Sequence, residues 1–407
     1  MSNTLLNISM ITRESLRILK NELGFAKGVN RQYDDQFAQN GAKIGSVINI
    51  RKPVRFTVTD GAALNIQDVT DQSVPLTLSN QKHVAFQFTS KDLALSIDEF
   101  SKRYIQPAVV ALANKIDYDG LGLYSSVWNS VGVPGTTPNT ALLMLQAMQK
   151  LDENAAPMDG ERSICLNPAA QASMVDALKG LFQSSEKIKE QYEKGRMGEA
   201  FGATFKMDQN VQSFTTGDNY GDTILVNDTG AADGDTDLVL DGCEASAVVF
   251  NVGDVFTIAG VYAVNPQSRQ STGSLMQFVV TQTTTADGSG NATVTYSPAL
   301  QSTGQYQNIS ALPADDAAIT PVQSASTDGV VTPQNMAYHR DAFVLGMADL
   351  PLPGGVDKAA RASDPDAGLS VRIVRAYDIN NDVFPCRLDI LYGWAAVYPE
   401  LACRIFG

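Results

Sequence analysis

The sequence predicts an α+β fold with an all-β domain inserted late in the chain. Three observations point there. The apolar period switches from 3.6 to 2 and back along the 407 residues. One amphipathic pattern, residues 95–128, is long enough to act as a strut. From residue 211 to 337 the composition steps: 13 acidic residues face one basic residue, Arg269, whereas the remainder holds 31 acidic and 29 basic residues. A net charge of −14 is therefore carried almost entirely by one segment, which marks an inserted unit or a surface with a different task. An acidic exterior opposes nucleic-acid binding and favours solubility.

Residues 1–40 read as a helical arm. Thr12 can cap, Ile11 and Leu16 can staple, Leu16, Leu19 and Leu23 form a narrow apolar stripe, and Gly24 fits a C-terminal stop. So short a stripe is marginal alone in water, so it should lie on the same chain or on a neighbour. From 41 to 90 the period becomes 2. Val54, Phe56 and Val58 alternate with polar residues, Asp60-Gly61 is a turn signal, and Val74, Leu76, Leu78 and then Val84, Phe86, Phe88 alternate again, parted by Asn80-Gln81. This is an antiparallel β-excursion with one apolar face and little nearby in sequence to pack on. Arg51, Lys52 and Arg55 make its base positive. They read as a solvated strand face or as an ion-pair site between subunits, with nucleic-acid contact a remote third.

The pattern at 95–128 begins with a capping box, Ser96 with Glu99, under a staple of Leu95 and Phe100. Ile97, Phe100, Tyr104, Ala108, Leu112 and Ile116 recur at helical spacing. Pro107 inside the pattern predicts a kink or a restart with proline in the first turn. A continuous helix here would be about 45 Å long. After the loop 131–138, Leu142, Leu145 and Met148 predict one helix face, 163–166 a short buried strand, and Asn167-Pro168 a capped helix start. Residues 184–196 read as a charged, solvated helix. Residues 222–333 are rich in Thr, Ser, Gly, Asp and Val, and short strands broken by turn residues suggest a small β-barrel or sandwich. Pro333 ends this unit. The α/β character returns from 336, where alternating strands after 369 need a sheet to join, so the β unit interrupts a domain.

Catalytic motifs are missing. The sequence has no GxxxxGK[ST], GxGxxG, HExxH or GxSxG. Cys165, Cys243, Cys386 and Cys403 are far apart, form no CxxC pair, and read as buried thiols. Cys165 with His339 is the one nucleophile–base combination available, and nothing local supports it. His83 falls on the polar face of its strand, and His339 beside Arg340 and Asp341 suits a structural hydrogen bond. Asp233, Asp235, Asp237 and Glu244 follow the ligand spacing of a calcium loop, but Leu238 stands where that loop needs glycine and the flanks read as strands, so an acidic turn fits better. No cofactor is expected. No apolar run reaches membrane-spanning length, and the N-terminal residues lack the apolar core of a secretory signal.

Several stretches carry a resemblance: MITRESLRIL at 10–19, GAKIGSVINIRKPVRFTVTDGA at 41–62, RYIQPAVVALANKID at 103–117, GDVFTIAGVYAVNP at 253–266 and MAYHRDAFVLGMADLPLP at 336–353. In this order and spacing the chain resembles, nearly end to end, the major capsid (coat) proteins of tailed bacteriophages, in the podovirus-type coat family that carries an inserted domain. The resemblance implies an HK97-like capsid fold: residues 1–40 as N-terminal arm, 41–95 as extended β-loop, 96–221 as spine helix with peripheral and axial parts, 222–335 as the inserted β-barrel and 336–407 as completion of the axial and peripheral domains. It implies self-assembly into hexamers and pentamers of an icosahedral shell around double-stranded DNA, not enzymatic turnover. The expected partners are other copies of the chain, a scaffolding protein and a portal, with room for a decoration protein. The expected location is the virion capsid, assembled in the host cytoplasm, and no prodomain is expected. By position, Arg51, Lys52 and Arg55 are candidates to pair with Asp98 and Glu99 on a neighbour's spine helix. Three other readings stay open at this point: a phage decoration, tail or surface-layer subunit, the shell of a protein-cargo compartment, and an enzyme with an unfamiliar site, which the lack of a motif disfavours.

Overall fold

A computed structural model describes residues 8–31, 47–59, 61–62, 66–68, 71–89, 105–178, 198–228, 230–324, 327–364 and 368–407. The fold is α+β. Four α-helices occur among the described residues: α1, Ile8–Glu22; α2, Gln106–Leu121; α3, Ala141–Glu153; and α4, Pro168–Leu178. The chain divides into two compact units, Met1–Arg51 with Ser73–Gly120 and Phe343–Val397, and Lys52–Gln72 with Leu121–Ala342 and Tyr398–Gly407.

The first unit is built on the strand Val383–Ala396, which pairs antiparallel with Phe343–Met347, Leu369–Arg375 and Asn80–Thr89, while Lys358–Asp364 adds on outside Leu369–Arg375. Period 2 sends Leu369, Val371, Ile373, Cys386, Leu388, Ile390 and Tyr392 to a buried face. Helix α1 packs against Lys358–Asp364 and Leu369–Arg375, and its predicted stripe, Leu16, Leu19 and Leu23, is buried there with Ile18. The arm's support thus comes from its own chain. Gly24 ends the helix differently from expectation. Its φ of −101° is right-handed, not the left-handed turn of a glycine stop. Its N–H instead donates to Asp117 Oδ2 of α2 at 2.7 Å, and Ala26 N–H donates to Oδ1 at 2.9 Å, so a buried carboxylate fixes the turn. Phe25 then stacks between Phe343 and Trp394, both at 5.7 Å. Gly120 lets Trp394 close on α2, because a Cβ there would lie 2.5 Å from the indole ring.

The strut ends earlier than its pattern. Its described helical part, α2, holds Pro107 near its N-terminal end and spans about 24 Å; residues 90–104, which would decide between a kink and a restart at Pro107, lie outside the described residues. At its C-terminal end α2 gives way to a 3-10 turn at Gly122–Ser126 rather than running to Trp128. Gly120 in the last turn and Gly122 just beyond it explain the early end, since glycine is a poor helix former. The capping box Ser96–Glu99 and its staple lie outside the described residues, as do residues 184–196.

The β-excursion also shifts. The paired strands at its base are Val47–Arg51 and Ser73–Thr77, in register from Val47–Thr77 to Arg51–Ser73, with Ile48, Ile50 and Leu76 buried. The strand expected at Val54–Val58 is not one: that stretch is irregular, and Phe56 and Val58 are exposed. Asn80–Thr89 pairs not with the excursion but with Val383–Ala396.

The second unit holds two sheets with separate cores. The mixed sheet runs in the order Ser130–Val131, Ala402–Ile405, Asn335–His339, Arg162–Leu166, Ala203–Met207, Glu199–Ala200. Helices α3 and α4 supply Met144, Ala147, Met148, Leu151, Ala170 and Met174 to its core. Asn167 Oδ1 accepts the Ala170 N–H at 2.9 Å, the predicted cap of α4. The face predicted for α3 is corrected: Leu142 and Leu145 are exposed, and the buried row contains Met148 with Met144, Ala147 and Leu151.

The other sheet is antiparallel: Ile319–Pro321, Val255–Val264, Ser271–Val280, Ala292–Ser297, Asp237–Asp241, Leu225–Val226. Its two ends meet. Leu225 bridges Ala318, Val226 N–H donates to Ala317 O at 3.0 Å, and Ile319 N–H donates to Ile224 O at 2.9 Å, so the sheet closes on itself without a free edge. Phe256 sits in the centre, 5.7 Å from Phe250 and Phe278 and 5.8 Å from Tyr296. The chain leads in and out of this region through a two-stranded ribbon, Ser213–Thr215 with Val331–Pro333. The four cysteines are buried free thiols. Burial pushes the Cys403 thiol up to about 12, so it is not a nucleophile at neutral pH.

Candidate functional site

The site residues suggested by the sequence cluster at the root of the excursion. Arg51 closes the strand Val47–Arg51 and is exposed. Beyond it the ribbon loses its ladder, and the chain is braced by two side-chain contacts: Thr57 N–H donates to Gln67 Oε1 at 2.8 Å, and Gln67 Nε2 donates back to Thr57 O. Lys52 sets its ammonium 5.1 Å from the Tyr398 ring centre. Burial pulls its pKa down, against the opposing pull of Glu400. The Arg55 guanidinium donates to Glu400 Oε1 at 3.2 Å and stands 6.0 Å from the Tyr306 ring centre. Glu400 is offered by the 3-10 turn Pro399–Leu401. Two of the three basic residues therefore meet groups of their own chain. Asp98 and Glu99 lie outside the described residues.

Three large apolar residues further along the excursion are uncovered. Phe56 is 63% exposed, Ile66 81% and Val58 97%. A single exposed apolar residue is ordinary, but three large ones on one short excursion mark an interaction surface. Such a surface can bury area against another protein.

A second constellation lies at the root of the closed sheet, and sequence reading missed it. Arg404 is central in the strand Ala402–Ile405 and 1% exposed. Its Nε donates to Gln334 Oε1 at 2.7 Å and its Nη1 to Gly253 O at 2.5 Å. The rings of Phe406, Tyr124 and Phe214 surround its guanidinium at 5.2, 5.4 and 5.6 Å. Asp254 beside it accepts the Asn251 and Gly217 N–H groups at 2.7 and 3.0 Å. Burial pushes Asp254 up to about 7, against those hydrogen bonds and the pull of Arg404, and burial draws Arg404 down to about 10. This polar knot ties together the ribbon Ser213–Thr215, the strand Ala402–Ile405 and the start of the closed sheet's strand Val255–Val264. The available signal was the single cation in the apolar run ACRIF.

The calcium-like set does not gather. Asp233 accepts from Ser302 N–H at 2.6 Å and Thr303 Oγ1 at 2.8 Å, and Asp235 accepts from Ala232 N–H at 2.7 Å. Asp237 starts a strand, and the Glu244 N–H donates to Asp222. These are turn-forming contacts. Among the described residues, clustered metal-type donors occur instead at Asp159, Glu161 and His339.

The profile of the family described as P22 coat protein (gene protein 5) matches residues 2–407. Among solved structures, one from Mycobacterium phage Che8 is 14% identical, with 94% of this chain and 90% of that chain covered and a TM-score of 0.47. The capsid of Ralstonia phage GP4 is 7% identical, covering 92% and 84%, with a TM-score of 0.43. The mature capsid of bacteriophage PhiM1 is 11% identical, covering 89% and 82%, with a TM-score of 0.41. No curated protein sequence matches the chain.

Proposed function

The chain belongs to the P22 coat protein family and is a major capsid protein of a tailed bacteriophage, and on that premise we propose how its parts divide the work of assembly. The coat protein is structural, not enzymatic. Copies of it form the shell that encloses the phage DNA, and its place is the virion capsid. No helix among the described residues is long and apolar enough to cross a membrane. The HK97-like capsid fold expected from the resemblance goes with this family.

The proposal concerns how copies meet. They join as hexamers and pentamers of an icosahedral shell. Residues 1–40 act as the arm, 41–95 as the extended loop, 96–221 as spine with peripheral and axial parts, 222–335 as an inserted barrel, and 336–407 as their completion. A scaffolding protein and a portal take part in assembly, and a decoration protein can bind the finished shell. The observation that supports this most is the excursion with exposed Phe56, Val58 and Ile66, which another copy would cover. Arg51, Lys52 and Arg55 sit at its root, where Asp98 and Glu99 of a neighbour would add to the charge balance.

A charge swap separates the two roles of Arg55. Arg55→Glu removes its pair with Glu400 and any pair with a neighbour. Arg55→Glu with Glu400→Arg restores the internal pair alone. We expect the single variant to lower the yield of closed particles in negative-stain electron microscopy, and the swap to leave that yield low. A swap that fully restores particles would assign Arg55 to its own chain only. Normal particles from Arg55→Glu would remove Arg55 from assembly.

A further inference from the structure

We propose that Asp159, Glu161 and His339 form a binding site for a divalent transition-metal ion, with zinc the best match. The backbone puts the donors together. His339 ends the strand Asn335–His339 and pairs in register with Arg162, the first residue of its neighbour. That pairing sets the imidazole beside the turn that precedes Arg162. The Arg340 N–H then donates to Glu161 O at 3.2 Å and locks the same edge.

Arg162 holds the turn in place from beneath. It is 5% exposed, pairs with Asp152 at 2.8 Å, and donates to Ala156 O at 2.7 Å and Pro157 O at 3.0 Å. The chain thus reaches Asp159 from a pinned segment. Gly160 turns it back at φ +85°, and Glu161 N–H donates to Asp159 Oδ1 at 2.9 Å. Preorganisation of this kind is what a ligand set needs.

One ligand atom each from Asp159, Glu161 and His339 lies within 4.8 Å of the others. His339 is 1% exposed, and its Nε2 points outward at Asp159 Oδ1 and Oδ2, 3.2 and 3.1 Å away. Glu161 is also held by Arg340 at 2.9 Å. One face of the buried ring therefore looks onto two half-exposed carboxylates that solvent can reach. The ring's other nitrogen, Nδ1, accepts the Asp341 N–H at 3.3 Å, which places the ring proton on Nε2 facing Asp159, and the Asp341 carboxylate stands 3.8 Å from Nδ1. A metal on Nε2 would move that proton to Nδ1, which must then turn from the Asp341 N–H to the Asp341 carboxylate to gain the support a metal-bound histidine uses.

One imidazole nitrogen with two carboxylates selects among ions. Zinc takes three such ligands and completes its shell with water. Calcium and magnesium prefer six or more oxygens and gain nothing from the imidazole. The site is separate from the excursion and from the Arg404 knot, so it stands whether or not the assembly proposal holds.

The test is isothermal titration of zinc chloride into the full-length protein after treatment with EDTA, alongside thermal unfolding. We expect one site per chain, and a melting temperature raised by about 3 °C at a hundredfold excess of zinc over its dissociation constant. Asp159→Asn with Glu161→Gln, both at surface positions, should weaken binding at least tenfold. Asp341→Asn, which touches no metal, should weaken it by about tenfold through the lost support of Nδ1. His83→Gln, which removes the protein's other histidine, should change nothing. The proposal is overturned by no binding at millimolar zinc, by binding that survives the double substitution, by binding lost in His83→Gln, or by calcium binding as tightly as zinc. If the double variant fails to fold, unchanged affinity in Asp341→Asn overturns it alone.

Discussion

The closed sheet and the excursion are opposite solutions to the same problem. Both are β-rich departures from the α/β body, and both carry large apolar residues. The closed sheet buries its own. Phe250, Phe256, Phe278 and Tyr296 interlock in its centre, and its first and last strands hydrogen-bond to each other, leaving no edge for a stranger. In the excursion, by contrast, Phe56, Val58 and Ile66 face solvent on an irregular segment braced by Thr57 and Gln67. One region is complete as a single chain. On the proposal above, the other gains its packing from a neighbouring copy, and the difference then separates the part that stabilises the subunit from the part that joins subunits.

The comparison can be broken first at the closed sheet. Phe256→Ala should destabilise the subunit by about 3–5 kcal/mol, read by chemical denaturation, because it opens a cavity among three other rings. A loss below about 1 kcal/mol would mean the closed sheet is not the stabilising region.

A smaller effect sharpens the root of the closed sheet. Asp254 keeps its proton to about pH 7 in the folded chain, whereas the ordinary value is 3.8. Between those values the folded chain binds the additional proton. Its contribution is therefore fully present below about pH 4 and is lost as pH rises towards 7, by at most about 1.4 kcal/mol per pH unit, with no further change above. Asp254→Asn should flatten this part of the stability profile. An unchanged slope would locate the pH dependence elsewhere.

The smallest effect on subunit stability is expected at the excursion. Replacing Phe56, Val58 and Ile66 together by serine should change the unfolding free energy of the unassembled subunit by no more than about 0.5 kcal/mol per residue. Closed particles should nevertheless fail to form, as read by sedimentation. Loss of subunit stability comparable to Phe256→Ala would show that the excursion packs on its own chain.

Much of the fold was legible in the sequence, and the failures share a cause. The stripe Leu16, Leu19, Leu23, the cap at Asn167 and the acidic β-rich segment rest on local patterns, which a chain fixes by itself. In α3 the run ALLMLQAM is apolar on two sides, and only the sheet decides that Met144 and Ala147, not Leu142 and Leu145, turn inward. Alternation at Val54–Val58 reads like alternation at Ile48–Ile50, but only the latter has a partner strand. The candidate site was half legible for the same reason. Arg55 is conspicuous in a basic cluster, yet its partner Glu400 is 345 residues away. Arg404 looks like one cation in an apolar run until Gln334, Gly253 and three rings close around it.

The most direct measurement is a cryo-electron-microscopy map of the assembled particle at side-chain resolution. The account predicts that Phe56, Val58 and Ile66 are buried against another copy of the chain while the closed sheet keeps its internal core. A closed shell in which those three residues remain in solvent would contradict it.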